Sequence, residues 1–135
     1  DLPSKCNLWN CNKAKTIVIY DSSTANESFL ARIPKCVDVE KVSSDNPELI
    51  SKILASRGCN KVLWECGPRL ATAAIQSNCI QEIITFIAPK ILGGENSMNP
   101  FGDFEFEEMN EIIKLSDSQV SLIGNDICVK SSLKN

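Results

Sequence analysis

The residues best placed to do chemistry lie together in the run Val62-Leu63-Trp64-Glu65-Cys66-Gly67-Pro68-Arg69-Leu70-Ala71. An apolar stretch ends in an acid, a tight turn follows, and the pattern predicts a helix opening at the proline. Such a helix start offers N–H groups and the positive end of the helix dipole, which suit a phosphate. Gly67 lets a ligand approach the backbone closely. Pro68 gives up only an N–H that the helix does not use. Arg69 adds a fixed cation able to grip a phosphate with two N–H groups. In open α/β sheets ligands sit beyond the carboxyl ends of the strands, where this turn falls. The spacing is neither G-x-G-x-x-G nor a Walker loop, and strand–turn–helix with Gly-Pro also serves as plain scaffold. Glu65 has two readings, a structural pair with a lysine or an acceptor for N–H donors of a ligand. Its apolar neighbours Val62, Leu63 and Trp64 predict partial burial, which demands a partner for the carboxylate.

The rest of the composition narrows the chemistry. None of the 135 residues is histidine, which removes Ser-His-Asp and Cys-His machinery from this chain and the usual near-neutral proton shuttle. Carboxylates, thiols, hydroxyls, backbone groups or a cofactor have to do the work. The seven cysteines, Cys6, Cys11, Cys36, Cys59, Cys66, Cys79 and Cys128, form no C-x-x-C pair. Their odd number and scatter predict small buried hydrophobes in a reducing cytoplasm, with no zinc site and no disulfide framework. Glu105, Glu107, Glu108 and Glu111 read as a solvated face. A formal net charge of −3 leaves no basic footprint for nucleic acid or an anionic membrane surface. No stretch approaches the roughly 20 apolar residues that span a bilayer. The start, Asp1-Leu2-Pro3, carries no charged-then-apolar leader and no methionine, and reads as a piece of a longer protein.

These residues need elements to hold them. Thr16 to Tyr20 reads as a strand buried on both faces, Ser28 to Ile33 as a short helix, and Cys36 to Val42 as a half-buried strand. Ser44 to Ser56 reads as a helix capped by Ser44 or Asp45, with Pro47 in its first turn and Leu49, Ile50, Ile53 and Leu54 as its apolar stripe. Gly58 stops it. Lys61 to Glu65 and Ile80 to Ile87 read as two more buried strands. Between them a helix runs from Gly67-Pro68 to about Ser77, with Leu70, Ala71, Ala74 and Ile75 inward. Gly93 to Phe101 is a loop. Ile112 to Leu115, Gln119 to Ile123 and Ile127 to Leu133 read as antiparallel strands, the last two joined at Gly124-Asn125-Asp126. The alternation predicts an α/β class over residues 1–135, a single domain with a mostly parallel sheet and a C-terminal antiparallel hairpin.

The run from Val62 to Gly94 resembles the reductase domain of bifunctional riboflavin biosynthesis proteins of the RibD type. The parts that carry the likeness are Glu65 to Leu70, then Gln81-Glu82, then Ala88-Pro89-Lys90 through Gly93-Gly94, with Gly124-Asn125-Asp126-Ile127 as a closing turn. The likeness extends from about Lys13 to Lys130. It implies a dihydrofolate-reductase-like three-layer fold whose first strands, with part of the substrate site, lie upstream of Asp1. It implies reduction of 5-amino-6-(5-phosphoribosylamino)uracil to 5-amino-6-(5-phosphoribitylamino)uracil by NADPH. It places the cofactor phosphates along Gly67, Pro68, Arg69, Leu70, Ala71, Thr72 and Ala73, and the substrate against Glu65. Asp21-Ser22-Ser23, at the end of an earlier strand, falls towards the adenosine end. The chemistry demands no catalytic acid or base side chain and no metal. A cytoplasmic homodimer acting on a small pyrimidine ribosyl phosphate is the implied setting. Cys66 replaces the family's usual small residue, which would strain a backbone needing positive φ. The family's zinc-binding deaminase half has no counterpart in these residues. The alternatives are a non-catalytic dimerisation or cofactor-binding remnant, and a reductase of another pterin-like substrate.

Overall fold

The computed structural model describes residues 3, 5–94, 97 and 99–133. Of the expected Asp1–Asn12 entry and Gly93–Phe101 loop, Asp1, Leu2, Ser4, Glu95, Asn96 and Met98 lie outside the described residues. Near the start, Asn7–Trp9 forms a single 3-10 turn, and the Trp9 indole N–H donates to the Pro3 carbonyl at 3.0 Å.

The β-branched run forms β1 (Ile17–Asp21), which pairs in parallel with β2 (Asp38–Val42), Ile17 facing Asp38 and Asp21 facing Val42. The crossover between them carries a one-turn helix α1 (Glu27–Leu30), capped by the Asn26 side chain. Helix α2 (Pro47–Ser56) starts at a proline suited to its first turn. Its cap is Asn46, whose Oδ1 accepts from the Glu48 N–H at 2.8 Å. Ser44 instead accepts from the Asn46 N–H through its Oγ at 3.2 Å, so neither Ser44 nor Asp45 is the cap. Gly58, at φ +89°, supplies the left-handed exit. Helix α3 (Pro68–Gln76) buries Thr72, Ala74 and Ile75 and packs against α2.

The remaining strands form a separate antiparallel sheet in the order β3 (Glu82–Ile87), β5 (Asp126–Leu133), β4 (Leu115–Ile123). Gly124 at φ +62° makes the two-residue turn between β4 and β5. The expected Ile112–Leu115 strand is absent. Leu115 opens β4, which shifts register between Ser116 and Gln119, around Asp117 at φ +53°. The Ser118 and Ser131 hydroxyls meet across that irregularity at 2.8 Å.

The α/β class stands, but the sheet is not mostly parallel. Among the described residues only β1 and β2 run parallel, and β3 pairs antiparallel with β5. A continuous apolar run such as Ile83–Ile87 looks alike in both directions, and the direction is set by a partner some 45 residues away. Lys61–Glu65 joins no ladder. The three runs expected to be buried on both faces are not. β1 is half-buried throughout, β3 is mostly exposed, and Leu63 is 79% exposed. Apolar runs need covering layers, and among the described residues no helix lies broadly on the antiparallel sheet.

The cysteines also depart from expectation. Cys11 and Cys36 form a disulfide across 25 residues, with Cα atoms 6.2 Å apart. Of the other five only Cys128 is buried, and Cys59 is exposed. Spacing along the chain carried no sign of a pairing that the folded path creates.

Candidate functional site

One open cleft of about 840 Å³ gathers the helix starts. Ile19 of β1, Ser44 and Asp45 of the loop after β2, and Asn46, Pro47 and Ile50 at the head of α2 line one side. Gly67, Pro68, Arg69, Leu70 and Ala73 of α3, with Gln76 and Ser77, line the other. Two positive dipole ends therefore face one space. They differ in chemistry. The α2 start is closed by the Asn46 side chain. Gly67 offers no side chain to α3, and among the described residues no side chain occupies its first-turn N–H groups. Gly67 sits at φ −74° and ψ 170°, ordinary extended backbone. A Cβ there would meet nothing within 4 Å, so the open side of the turn faces the cleft rather than packed protein.

Arg69 reaches across the mouth, its Nη2 lying 3.5 Å from Asp45 Oδ2. Both side chains are largely exposed, which makes this a weak pair in water. Glu65 is exposed and makes no hydrogen bond or ion pair among the described residues. Its expected burial fails because no neighbouring strand flanks Lys61–Glu65. It precedes the turn and does not line the cleft.

Five of the seven turn residues singled out in sequence line the cleft, namely Gly67, Pro68, Arg69, Leu70 and Ala73. Ala71 and Thr72 do not. Thr72 is buried, and its Oγ1 accepts from the Gly102 N–H at 2.8 Å, tying α3 to the loop before β4. The helical repeat turns Ala71 and Thr72 away from the cleft that Gly67–Leu70 and Ala73 face. Cys66 takes no positive φ, so it carries no backbone strain. Burial pushes its thiol above the ordinary thiol range. At the end of β1, Asp21 Oδ1 accepts from the Ser23 N–H at 2.7 Å and the Ser23 hydroxyl at 2.8 Å. These bonds hold its carboxyl below the usual range, and the group closes its own turn instead of lining the cleft.

Ile19, Ser44, Asp45, Asn46, Pro47 and Ile50 were not foreseen as site residues. In sequence Ser44–Pro47 signals only a helix start, and the juxtaposition of α2 with α3 is what brings these residues to the cleft. Among the described residues no group of three acids or thiols stands close enough to hold a metal, and no helix is long and apolar enough to cross a membrane.

Fold and cleft together define an α/β domain of the dihydrofolate-reductase-like class. The crystal structure of a pyrimidine reductase-like protein from Corynebacterium diphtheriae superposes with a TM-score of 0.78 at 18% identity, over 100% of this chain and 58% of that one. Acinetobacter baumannii RibD superposes with a TM-score of 0.75 at 21% identity, over 99% of this chain and 35% of that one. The sequence profile of the RibD C-terminal domain matches residues 1–129. The chain is 36% identical to the riboflavin biosynthesis protein PYRR, chloroplastic, of Arabidopsis thaliana, over 99% of its own length and 22% of that protein. It is also 36% identical to the riboflavin biosynthesis protein RibD of Synechocystis sp., over 93% of this chain and 34% of that one. The chain belongs to the RibD C-terminal domain family, and it spans about a fifth to a third of the length of these curated relatives.

Proposed function

We propose that this chain carries the reductase function of riboflavin biosynthesis, reducing 5-amino-6-(5-phosphoribosylamino)uracil to the ribitylamino compound with NADPH. The observation that carries the reading is the α3 start, Gly67-Pro68-Arg69, which has no side-chain cap and faces a cleft of about 840 Å³ in a chain of this family. Family membership supports a pyrimidine reduction by a nicotinamide cofactor, and the preference for NADPH is our own reading. The residues present fit such a group. The α3 N–H groups and Arg69 suit a diphosphate, and Ile19, Ile50, Leu70 and Ala73 offer an apolar wall.

When bound, NADPH would supply the hydride that reduction at C1 of the ring-opened ribose requires. The protein's share is binding and alignment. Gly67 to Leu70, with Ala73, would hold the dinucleotide. Glu65, exposed and without a partner among the described residues, would accept N–H groups from the pyrimidine. The proton that the substrate nitrogen takes up as the hydride arrives would come from water, a source open to a chain without histidine.

Gly67→Asp tests the cofactor site with little risk to the fold. Aspartate is a favoured helix cap, the site's φ is ordinary, and a Cβ meets open space. Its carboxylate occupies the phosphate position and repels the ligand. The variant is expected to melt no lower than wild type and to bind NADPH about tenfold or more weakly by calorimetric titration. Equal binding by the two proteins, or binding by neither, counts against the assignment.

A second reading is a cofactor-binding or homodimerising module without turnover. The bare antiparallel sheet, with Val120 70% and Leu122 73% exposed, favours it. Sedimentation with an NADPH-oxidation assay separates the two, because a stable dimer without turnover supports only the module. The reading places the protein in an aqueous compartment, the cytoplasm by default. The plastid implied by the names of the plant relatives is the alternative for a tagged full-length protein to decide.

A further inference from the structure

We infer that Asp45 is a built-in competitor for Arg69, a carboxylate that stands where a ligand's anion must go and thereby sets how tightly the cleft binds anionic ligands. The inference rests on the cofactor site proposed above and adds to it a residue outside the Gly-Pro turn. Three observations converge. Arg69 is the second residue of α3, at the positive end of the helix dipole, where a cation is disfavoured without an anion nearby. The group that meets it is Asp45, across the cleft mouth, with Nη2 and Oδ2 3.5 Å apart. Asp45 is itself held in place. Ser44 Oγ accepts from the Asn46 N–H at 3.2 Å, and Asn46 Oδ1 accepts from the Glu48 N–H at 2.8 Å, so the backbone on its C-terminal side is fixed to the start of α2.

The pair is long and exposed, with the two side chains 94% and 73% accessible. Such a pair contributes little in water. A phosphate seated at the α3 start offers Arg69 two oxygens and fuller charge, so it displaces Asp45. The displaced carboxylate stays on the rim, because the backbone beside it is tied to the start of α2, and opposes the incoming negative charge. Asp45 therefore lowers anion affinity twice, by engaging Arg69 and by repelling the ligand. Asparagine at position 45 removes both effects without altering the Asn46 cap.

The test is calorimetric titration of wild type, Asp45→Asn, Arg69→Gln and the double variant, in the longest soluble form of the protein. The probes are NADPH and, separately, inorganic pyrophosphate. Asp45→Asn is expected to tighten both about two- to fivefold, the range set by losing an exposed pair. Its gain should shrink in 0.5 M salt, where the Debye length is about 4–5 Å. In the Arg69→Gln background the gain should fall to less than half of that. Unchanged or weaker binding by Asp45→Asn overturns the inference, as does a full gain without Arg69. If wild type binds pyrophosphate but not NADPH, the cofactor reading falls and the pyrophosphate series alone decides the role of Asp45. Binding of neither probe by wild type overturns both.

Discussion

At the level of single residues, burial and hydrogen bonding sort the candidate groups by what they can do. Cys66 stands beside the helix start, yet its thiol is partly buried and burial pushes its titration above 9.0. Its surroundings disfavour the thiolate that a nucleophile needs. The sign of its pH dependence follows. Burial disfavours the thiolate, so alkylation rises only at a pH above the ordinary thiol range. Iodoacetamide at pH 8 should label exposed Cys59 well before Cys66, with mass spectrometry of the peptides as the readout. Rapid labelling of Cys66 would contradict this assignment. Asp21 is likewise accounted for, since both of its bonds are made within its own turn. Glu65 is exposed, and among the described residues its carboxylate has no partner, the state that the ligand-orienting role proposed above requires.

The two helices that form the cleft are held by different devices. Pro47 and Pro68 each stand at a first helical position. Only α2 is closed by a side chain, through Asn46. Asn46→Ala should lower stability by about 1 kcal/mol, the usual cost of losing such a cap. Denaturant unfolding followed by circular dichroism measures this, and an unchanged midpoint would show that the cap contributes nothing. The same change loosens the backbone beside Asp45, so it should also perturb the Arg69 pair. Helix α3 is anchored differently, by Ala74 and Ile75 packed inside and by Thr72 holding the Gly102 N–H. Its open first turn costs some stability and leaves donors for a ligand, a common trade at binding sites.

Over the whole molecule the accessible surface is 10946 Å², where a compact monomer of this length exposes roughly 7,000 Å². Among the described residues no large side chain is fully buried. Much of the excess sits on β3, β4, the Lys61–Glu65 segment and the stretch between β3 and β4, at Leu63, Phe86, Ile91, Leu92, Met109 and Leu122. Such a chain, produced as residues 1–135 alone, should bind a hydrophobic dye and melt over a broad range. A sharp, cooperative transition without dye binding would show that these 135 residues complete their own core. Further polypeptide or a second subunit should remove the dye binding by covering the sheet. The cleft does not share this exposure problem, because α2 and α3 pack on each other and shape it from within the chain.

Local chemistry was legible in sequence wherever the deciding residues were close neighbours. Pro47, Gly58 and Pro68 marked the helix ends, Gly124-Asn125 marked the hairpin, and Glu65 to Leu70 marked the turn at the site. Each of these depends on backbone preferences spanning a few residues. The Asn46 cap slipped by a residue or two because Ser44, Asp45 and Asn46 are all good caps, and packing chose among them. What sequence left open joins residues far apart. The antiparallel pairing of β3 with β5, the Cys11–Cys36 bond, the contact of Thr72 with Gly102 and the meeting of Asp45 with Arg69 span 40 to 50, 25, 30 and 24 residues in turn. The amino-acid sequence alone determined that a phosphate-suited helix start follows a glutamate. Only the tertiary structure decided which side chains share its cleft, because that depends on how distant segments pack, and a linear pattern carries no record of it.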